Sequence, residues 1–261
     1  ETIVGRVLRE MPRDELIIST KAGYRMWPGP YGDGLSKKYL VASLDQSLKR
    51  LGLDYVDIFY AHRPDPETPL EETMAALDLI VRQGKALYIG VSNFSGADFA
   101  AAVRVCDRMG LAPITIHQPH YNLLDREPEW DLFPQTQRAG TGVIAFSPLA
   151  SGLLTDKYIN GAIPADSRAA QKWGKDWLDR ELTLERRDVL EGLQQIAQER
   201  DQTLAQLAVA WLLHRPEVTS VLIGASKVEQ IEENVRALDN LAFTHEQLHT
   251  IDALTLHAPR S

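Results

Sequence analysis

The 261-residue chain has a single cysteine, Cys106, so no internal disulfide can form and the sequence suits a reducing compartment. It has no excess of positive charge. Its 28 Lys and Arg stand against 36 Asp and Glu, a net charge of −8, which excludes nucleic-acid binding through an overall basic surface. No apolar run is long enough to cross a membrane, and the first residues, ETIVGRVLREMPRDE, lack the apolar stretch of a signal peptide. There is no low-complexity segment and no obvious linker. These absences lead to the expectation of one cytoplasmic domain over residues 1–261 that acts on a small molecule, without nucleic acid and without membrane insertion.

What is present is ordinary globular composition, 44% hydrophobic and 25% charged, enough for one sizeable core. Short apolar runs alternate with longer amphipathic ones. The strand-like runs are ELIISTK, YVDIFYAH, ALYIGVSN, PITIHQP, GVIAFSPL and VTSVLIGAS. Between them lie helical patterns such as SKKYLVASLDQSLKRLG, PLEETMAALDLIVRQG and GADFAAAVRVCDRMG, each closed by a glycine. Such alternation implies a parallel α/β sheet, either doubly wound or closed as a barrel. Each run is apolar through its body and polar at its C-terminal end: Lys21, His62, Ser92 with Asn93, Gln118, Ser147 and Ser226. A doubly wound sheet concentrates such groups near one switch point, whereas a (β/α)8 TIM barrel gathers all its strand ends around one mouth. The barrel fits better. Six strands are legible, preceded by a helical tail with Ile3, Val4, Val7 and Leu8 on one side, so the expectation is a barrel whose first two βα units are missing from the chain.

The last strand runs into VTSVLIGASKVEQIEENV, which supports two readings. Ser226 followed by Glu229 is a capping box for a helix starting at about Ser226, with Ile231, Val235 and Leu238 as its core-facing stripe. Alternatively, the polar stripe of Ser226, Gln230, Glu233 and Asn234, together with Lys227, marks a phosphate site at a helix N-terminus. Elsewhere little chemistry is expected. His117 and His120 do not share a strand face, so no metal pair is expected, and Cys106 reads as a small core residue on an amphipathic helix.

Six motifs in order, ISTKAG, YAHRPD, GVSNFS, IHQPHYNLLDR, FSPLASGLLTDKY and LIGASKVEQIEENV, resemble those of the aldo-keto reductases. Within that family the pattern is most like the bacterial L-glyceraldehyde 3-phosphate reductases and the voltage-gated potassium channel β-subunits. The resemblance implies a barrel that binds NADPH and passes hydride to a small carbonyl substrate, with catalysis by an Asp, Tyr, Lys and His. Lys21 matches the family lysine and His62 the family histidine, where the channel β-subunits carry asparagine. The family Asp and Tyr have no match in these residues; Tyr24 and Tyr60 are not taken as substitutes. Tyr60 lies inside a strand.

The resemblance further assigns Ser92, Asn93 and Gln118 to the nicotinamide carboxamide and Phe146 to stacking on the ring. Ser147, Pro148, Leu149, Gly152 and Leu154 fall to the pyrophosphate, with Lys157 as countercharge and Arg168 reaching the adenosine phosphate. Gly224, Ser226, Lys227, Gln230, Glu233 and Asn234 then hold the 2'-phosphate and adenine. Trp27 and Tyr31, in the loop GYRMWPGPYGDGLS, are expected substrate walls. Relatives of this pattern are often oligomers, so the resemblance also implies a homo-oligomer. The alternative left open is an NADPH-binding regulatory or sensor subunit with little turnover.

Overall fold

Four of the apolar runs form one parallel array. In the computed structural model, which describes residues 1–158, 163–165, 170 and 174–256, the chain divides into two units. The first comprises residues 1–119 and 130–142, the second residues 120–129 and 143–261.

The first unit contains α1 (Thr2–Leu8), β1 (Ser19–Ala22), α2 (Lys37–Leu51), β2 (Val56–Ala61), α3 (Leu70–Arg82), β3 (Ala86–Ser92), α4 (Gly96–Met109), β4 (Ile114–Gln118) and α5 (Phe133–Ala139). β1 pairs with β2, β2 with β3 and β3 with β4, all parallel. Ser36 and Ser95 cap α2 and α4 by accepting from the amides of Tyr39 and Asp98. Gly52 and Gly110, with φ of 70° and 63°, end the same helices in the left-handed conformation that glycine adopts at low cost. Leu40, Leu44 and Leu48 of α2 and Met74, Leu77 and Ile80 of α3 are buried, so both helices turn their apolar stripes to the interior.

β1 is shorter than the run ELIISTK suggests, beginning at Ser19. The preceding backbone is held by a side chain: Ile18 N–H donates to the Asp57 carboxylate at 2.6 Å, and Arg13 pairs with that carboxylate at 2.8 Å. Ile17 therefore stays 79% exposed in spite of its apolar character.

The second unit contains β5 (Gly142–Phe146, from Val143 onward), α6 (Lys175–Glu181), α7 (Leu184–Glu199), α8 (Leu204–His214), β6 (Val218–Leu222), α9 (Val228–Val235) and α10 (His245–Thr255). β5 and β6 are parallel. α8 is buried on nearly every side, Trp211 included, and α7 buries Val189, Leu190, Leu193 and Ile196. Arg126 is almost wholly buried and makes two hydrogen bonds to Glu129, one to Asp252 and one to Thr255, with its guanidinium 5.0 Å from the Trp211 ring. This clamp ties the segment after β4 to α10. Alternation of parallel strands with helices, throughout both units, is the construction of the expected (β/α)8 class.

The expectation for α9 is corrected in two respects. The helix begins at Val228 rather than Ser226, and no capping box forms, because Gln230 Oε1 instead accepts from Ser226 N at 2.9 Å. The stripe expected to face the core is exposed, with Ile231 at 46%, Val235 at 53% and Leu238 at 56%, while Asn234 is buried. The polar side of α9 is the one laid on the unit: Glu233 O accepts from Gln206 of α8. An amphipathic pattern states which face favours burial, but which face is covered depends on what packs there.

Among the described residues no helix is long and apolar enough to cross a membrane, and no cluster of side chains suits a metal.

Candidate functional site

In the first unit Lys21, His62, Ser92 and Gln118 lie at the C-terminal ends of β1, β2, β3 and β4, or one residue beyond. The parallel registers bring those ends level: Ala22 pairs with Ala61 and Ser92 with Gln118. Lys21 Nζ donates to Gln118 Oε1 at 2.6 Å, and burial lowers the lysine pKa. Ser92 Oγ donates to Gln118 O at 2.7 Å. Asn93 Nδ2 donates to His62 O at 2.9 Å and to Ser92 Oγ at 3.1 Å. Asn93 takes φ of 58°, a left-handed conformation that costs a non-glycine residue about 1–2 kcal/mol and that Asn tolerates better than most. Four strand ends are thus knitted by polar bonds into one site.

His62 is neutral near pH 7. Burial pushes its pKa down, and the charges of Lys21 and Arg63 push the same way. Sequence reasoning did not single out Tyr24 as a neighbour for it. The Tyr24 ring stands edge-on to the imidazole at 4.7 Å, and the Arg63 guanidinium lies 4.5 Å from the centre of the same ring. Arg63 also donates to Gly23 O at 2.7 Å and pairs with Asp33 at 3.0 Å. The signal for Tyr24 was its position three residues after Lys21, but sequence does not give the direction of its ring. Of the expected substrate walls, Trp27 lies tilted 5.4 Å from the buried Tyr39, and Tyr31 is 60% exposed, under the Lys38 ammonium.

His117 is fully buried behind this site. Its Nε2 meets Phe94 O at 3.1 Å, and burial holds its pKa down at about 4.

In the second unit Phe146 ends β5, half-buried, with its ring 5.2 Å from that of His120. His120 in turn pairs with Asp125 at 2.6 Å. Ser147 follows at φ 57°, and its carbonyl accepts from Asn122 Nδ2 at 3.1 Å. Pro148 and Leu154 are buried, Leu149 packs on the cluster of Val209, Ala210 and Ala237, and Lys157 is exposed. Gly152, at φ 101°, fills a position where a side chain would be strained. Ala150 and Ser151 are also left-handed, so this turn stores strain of the kind found at ligand sites. A hollow of about 180 Å³ opens beside it, lined among others by Ser151, Trp177 and Arg186. Gly224, Ser226 and Lys227 are exposed at the N-terminal end of α9, with Gln230 and Glu233 half-buried and Asn234 buried on its inner side. Arg168 lies outside the described residues.

Within the first unit, the oriented buried amide of Gln118 and the exposed amide of Asn93 are donors and acceptors of the kind a carboxamide takes.

A family model described as Aldo/keto reductase family matches residues 1–255. The L-glyceraldehyde 3-phosphate reductase of Escherichia coli (strain K12) is 54% identical over 254 residues, covering 95% of this chain and 73% of that protein. A probable voltage-gated potassium channel subunit beta of Arabidopsis thaliana is 43% identical over 244 residues, 92% of this chain and 74% of that protein. One from Oryza sativa subsp. japonica is 41% identical over 266 residues, covering 100% and 80%.

Proposed function

The chain belongs to the aldo/keto reductase family, and from that premise we propose that it reduces a small aldehyde with NADPH in the cytoplasm. The substrate class we favour is that of L-glyceraldehyde 3-phosphate, the compound in its relative's name, or methylglyoxal. The observation that carries this reading is the convergence of Lys21, His62, Asn93 and Gln118 on neighbouring strand ends.

NADPH, when bound, supplies the hydride. Ser92, Asn93 and Gln118 would hold its carboxamide, and Phe146 would face its ring. The turn from Ser147 to Leu154, with Lys157, would take the pyrophosphate, and Gly224, Ser226, Lys227, Gln230, Glu233 and Asn234 would take the adenosine end. Neutral His62 donates a hydrogen bond to the substrate carbonyl oxygen and orients it. Lys21 supplies a fixed positive charge, which stabilises the negative charge that develops on the substrate oxygen as hydride arrives at the carbonyl carbon. Tyr24, against His62, and the loop carrying Trp27 and Tyr31 form the substrate walls. Lys227 at a helix N-terminus favours the additional phosphate of NADPH over NADH.

The test is cofactor oxidation at 340 nm with each aldehyde, beside binding titrations of NADPH and NADH. Aldehyde-dependent oxidation with NADPH preferred supports the reading; equal affinity for both cofactors at moderate salt removes the selectivity. The similarity to channel β-subunits supports a second reading, an NADPH sensor with little turnover. Tight binding without oxidation by any small aldehyde would favour it, although His62 argues for turnover.

A further inference from the structure

Tyr60 has a buried hydroxyl that none of these roles uses. It stands in β2 directly opposite Lys21 of β1 and Gly90 of β3. The side chain is fully buried, and its hydroxyl makes no hydrogen bond of normal geometry among the described residues. The ring fits because position 90 is glycine: a Cβ there would stand 2.5 Å from Tyr60 Cε1 and 2.9 Å from Ile116 Cγ2. Phenylalanine would fill the same slot without burying an unsatisfied polar atom, which is costly. Packing alone therefore does not account for the hydroxyl.

Its polar neighbours are Lys21 and Gln118. Lys21 Nζ lies 5.9 Å from the ring centre. Burial raises the phenol pKa to about 12, and the Gln118 side chain beside it acts in the opposite direction. An amide N–H facing the phenol oxygen has that effect. Lysine carries donors only, so the Gln118 atom it meets at 2.6 Å is the carbonyl oxygen. The amide nitrogen is then the Gln118 atom left to donate to a neighbouring oxygen.

We infer that Tyr60 is a positioning residue: when a ligand engages Gln118, the Tyr60 hydroxyl accepts from Gln118 Nε2 while Lys21 holds Oε1, fixing the amide in one of its two orientations. So fixed, Gln118 offers one N–H and one oxygen lone pair to a ligand carboxamide, which carries the matching acceptor and donor. A small rotation of the Gln118 amide closes the bond to Tyr60 when that ligand engages. The inference rests on the cofactor reading given above.

The experiment compares wild type, Tyr60→Phe, Gln118→Met and the double variant in NADPH titrations and in thermal unfolding without cofactor. Tyr60→Phe is expected to weaken NADPH binding about fivefold, the worth of one neutral hydrogen bond, with an unfolding temperature unchanged or raised. In the Gln118→Met background the same substitution is expected to add no further loss, because the amide it orients is gone. Equal affinity of wild type and Tyr60→Phe overturns the inference alone. So does an equal loss in both backgrounds, or a lowered unfolding temperature, either of which makes the hydroxyl structural. Failure of wild type to bind NADPH overturns the cofactor reading, and this inference falls with it.

Discussion

Lys21 on β1 hydrogen-bonds Gln118 on β4 at 2.6 Å, although two strands lie between theirs. In a flat sheet three strand spacings amount to about 14 Å. The two side chains reach across that span most readily if β1 to β4 curl toward the face that carries both, as the wall of a barrel does. The site and the curvature are one feature seen at two scales.

Replacing Lys21 separates chemistry from stability. Its ammonium is partly stripped of water, which lowers its pKa, so the folded state gains little from the charge. Lys21→Met is expected to reduce kcat with a small aldehyde by about 100-fold or more, the usual scale for a group that tunes proton transfer. The denaturation midpoint should stay level or rise. A kcat within a factor of two of wild type would remove Lys21 from the chemistry.

Acid should destabilise the fold through the buried His117 and the partly buried His62. His117 is held neutral in the native state down to about pH 4, and the pKa of His62 is also lowered. In the unfolded chain both titrate near pH 6.5. Stability is therefore fully present above pH 6.5 and falls as pH drops below it, because the unfolded state takes up protons first. For His117 the fall ends near pH 4 and totals on the order of 3 kcal/mol. Urea denaturation at pH 7, 5.5 and 4.5 checks this. His117→Gln, which keeps a donor for Phe94 O, should flatten the slope, and an unchanged slope would assign the acid sensitivity elsewhere.

The Arg126 clamp makes a sharper stability prediction. Removing one partner of a buried ion pair leaves the other uncompensated, at about 3–5 kcal/mol. Arg126→Met should cost toward the lower end of that range in chemical denaturation, because Arg215 stays 3.7 Å from Glu129 and Tyr121 still donates to it; adding Glu129→Gln should restore part of the loss by removing the under-compensated charge. A loss under about 1 kcal/mol would place the network among the weak surface pairs.

Gly90→Ala should cost about 1–3 kcal/mol by overpacking against Tyr60 and Ile116. The cost should shrink in a Tyr60→Val background, where the slot is wider; an undiminished cost would point to the Ile116 side instead.

Much of this was legible in sequence, for reasons particular residues make plain. Parallel strands covered on both faces are apolar until they reach solvent at one end, so Lys21, His62, Ser92 and Gln118 announced the strand ends before any coordinates did. Gly52 and Gly110 marked helix ends because capping is local chemistry. What depended on tertiary geometry was hidden. The partner of Lys21 lies 97 residues away, and the edge contact of Tyr24 with His62 depends on ring direction. The faces of α9 were read in reverse, because periodicity carries no information about which neighbour is at hand.

Cys106 is 3% exposed, and burial with nearby Asp107 and Asp78 pushes its thiol up to about 11. Almost no thiolate exists there at neutral pH, so alkylating reagents pass it by. The chain thus comes with a chemically silent background. A cysteine introduced at an exposed position such as Tyr88 would react alone, and a fluorophore placed there could be attached without first removing the native residue.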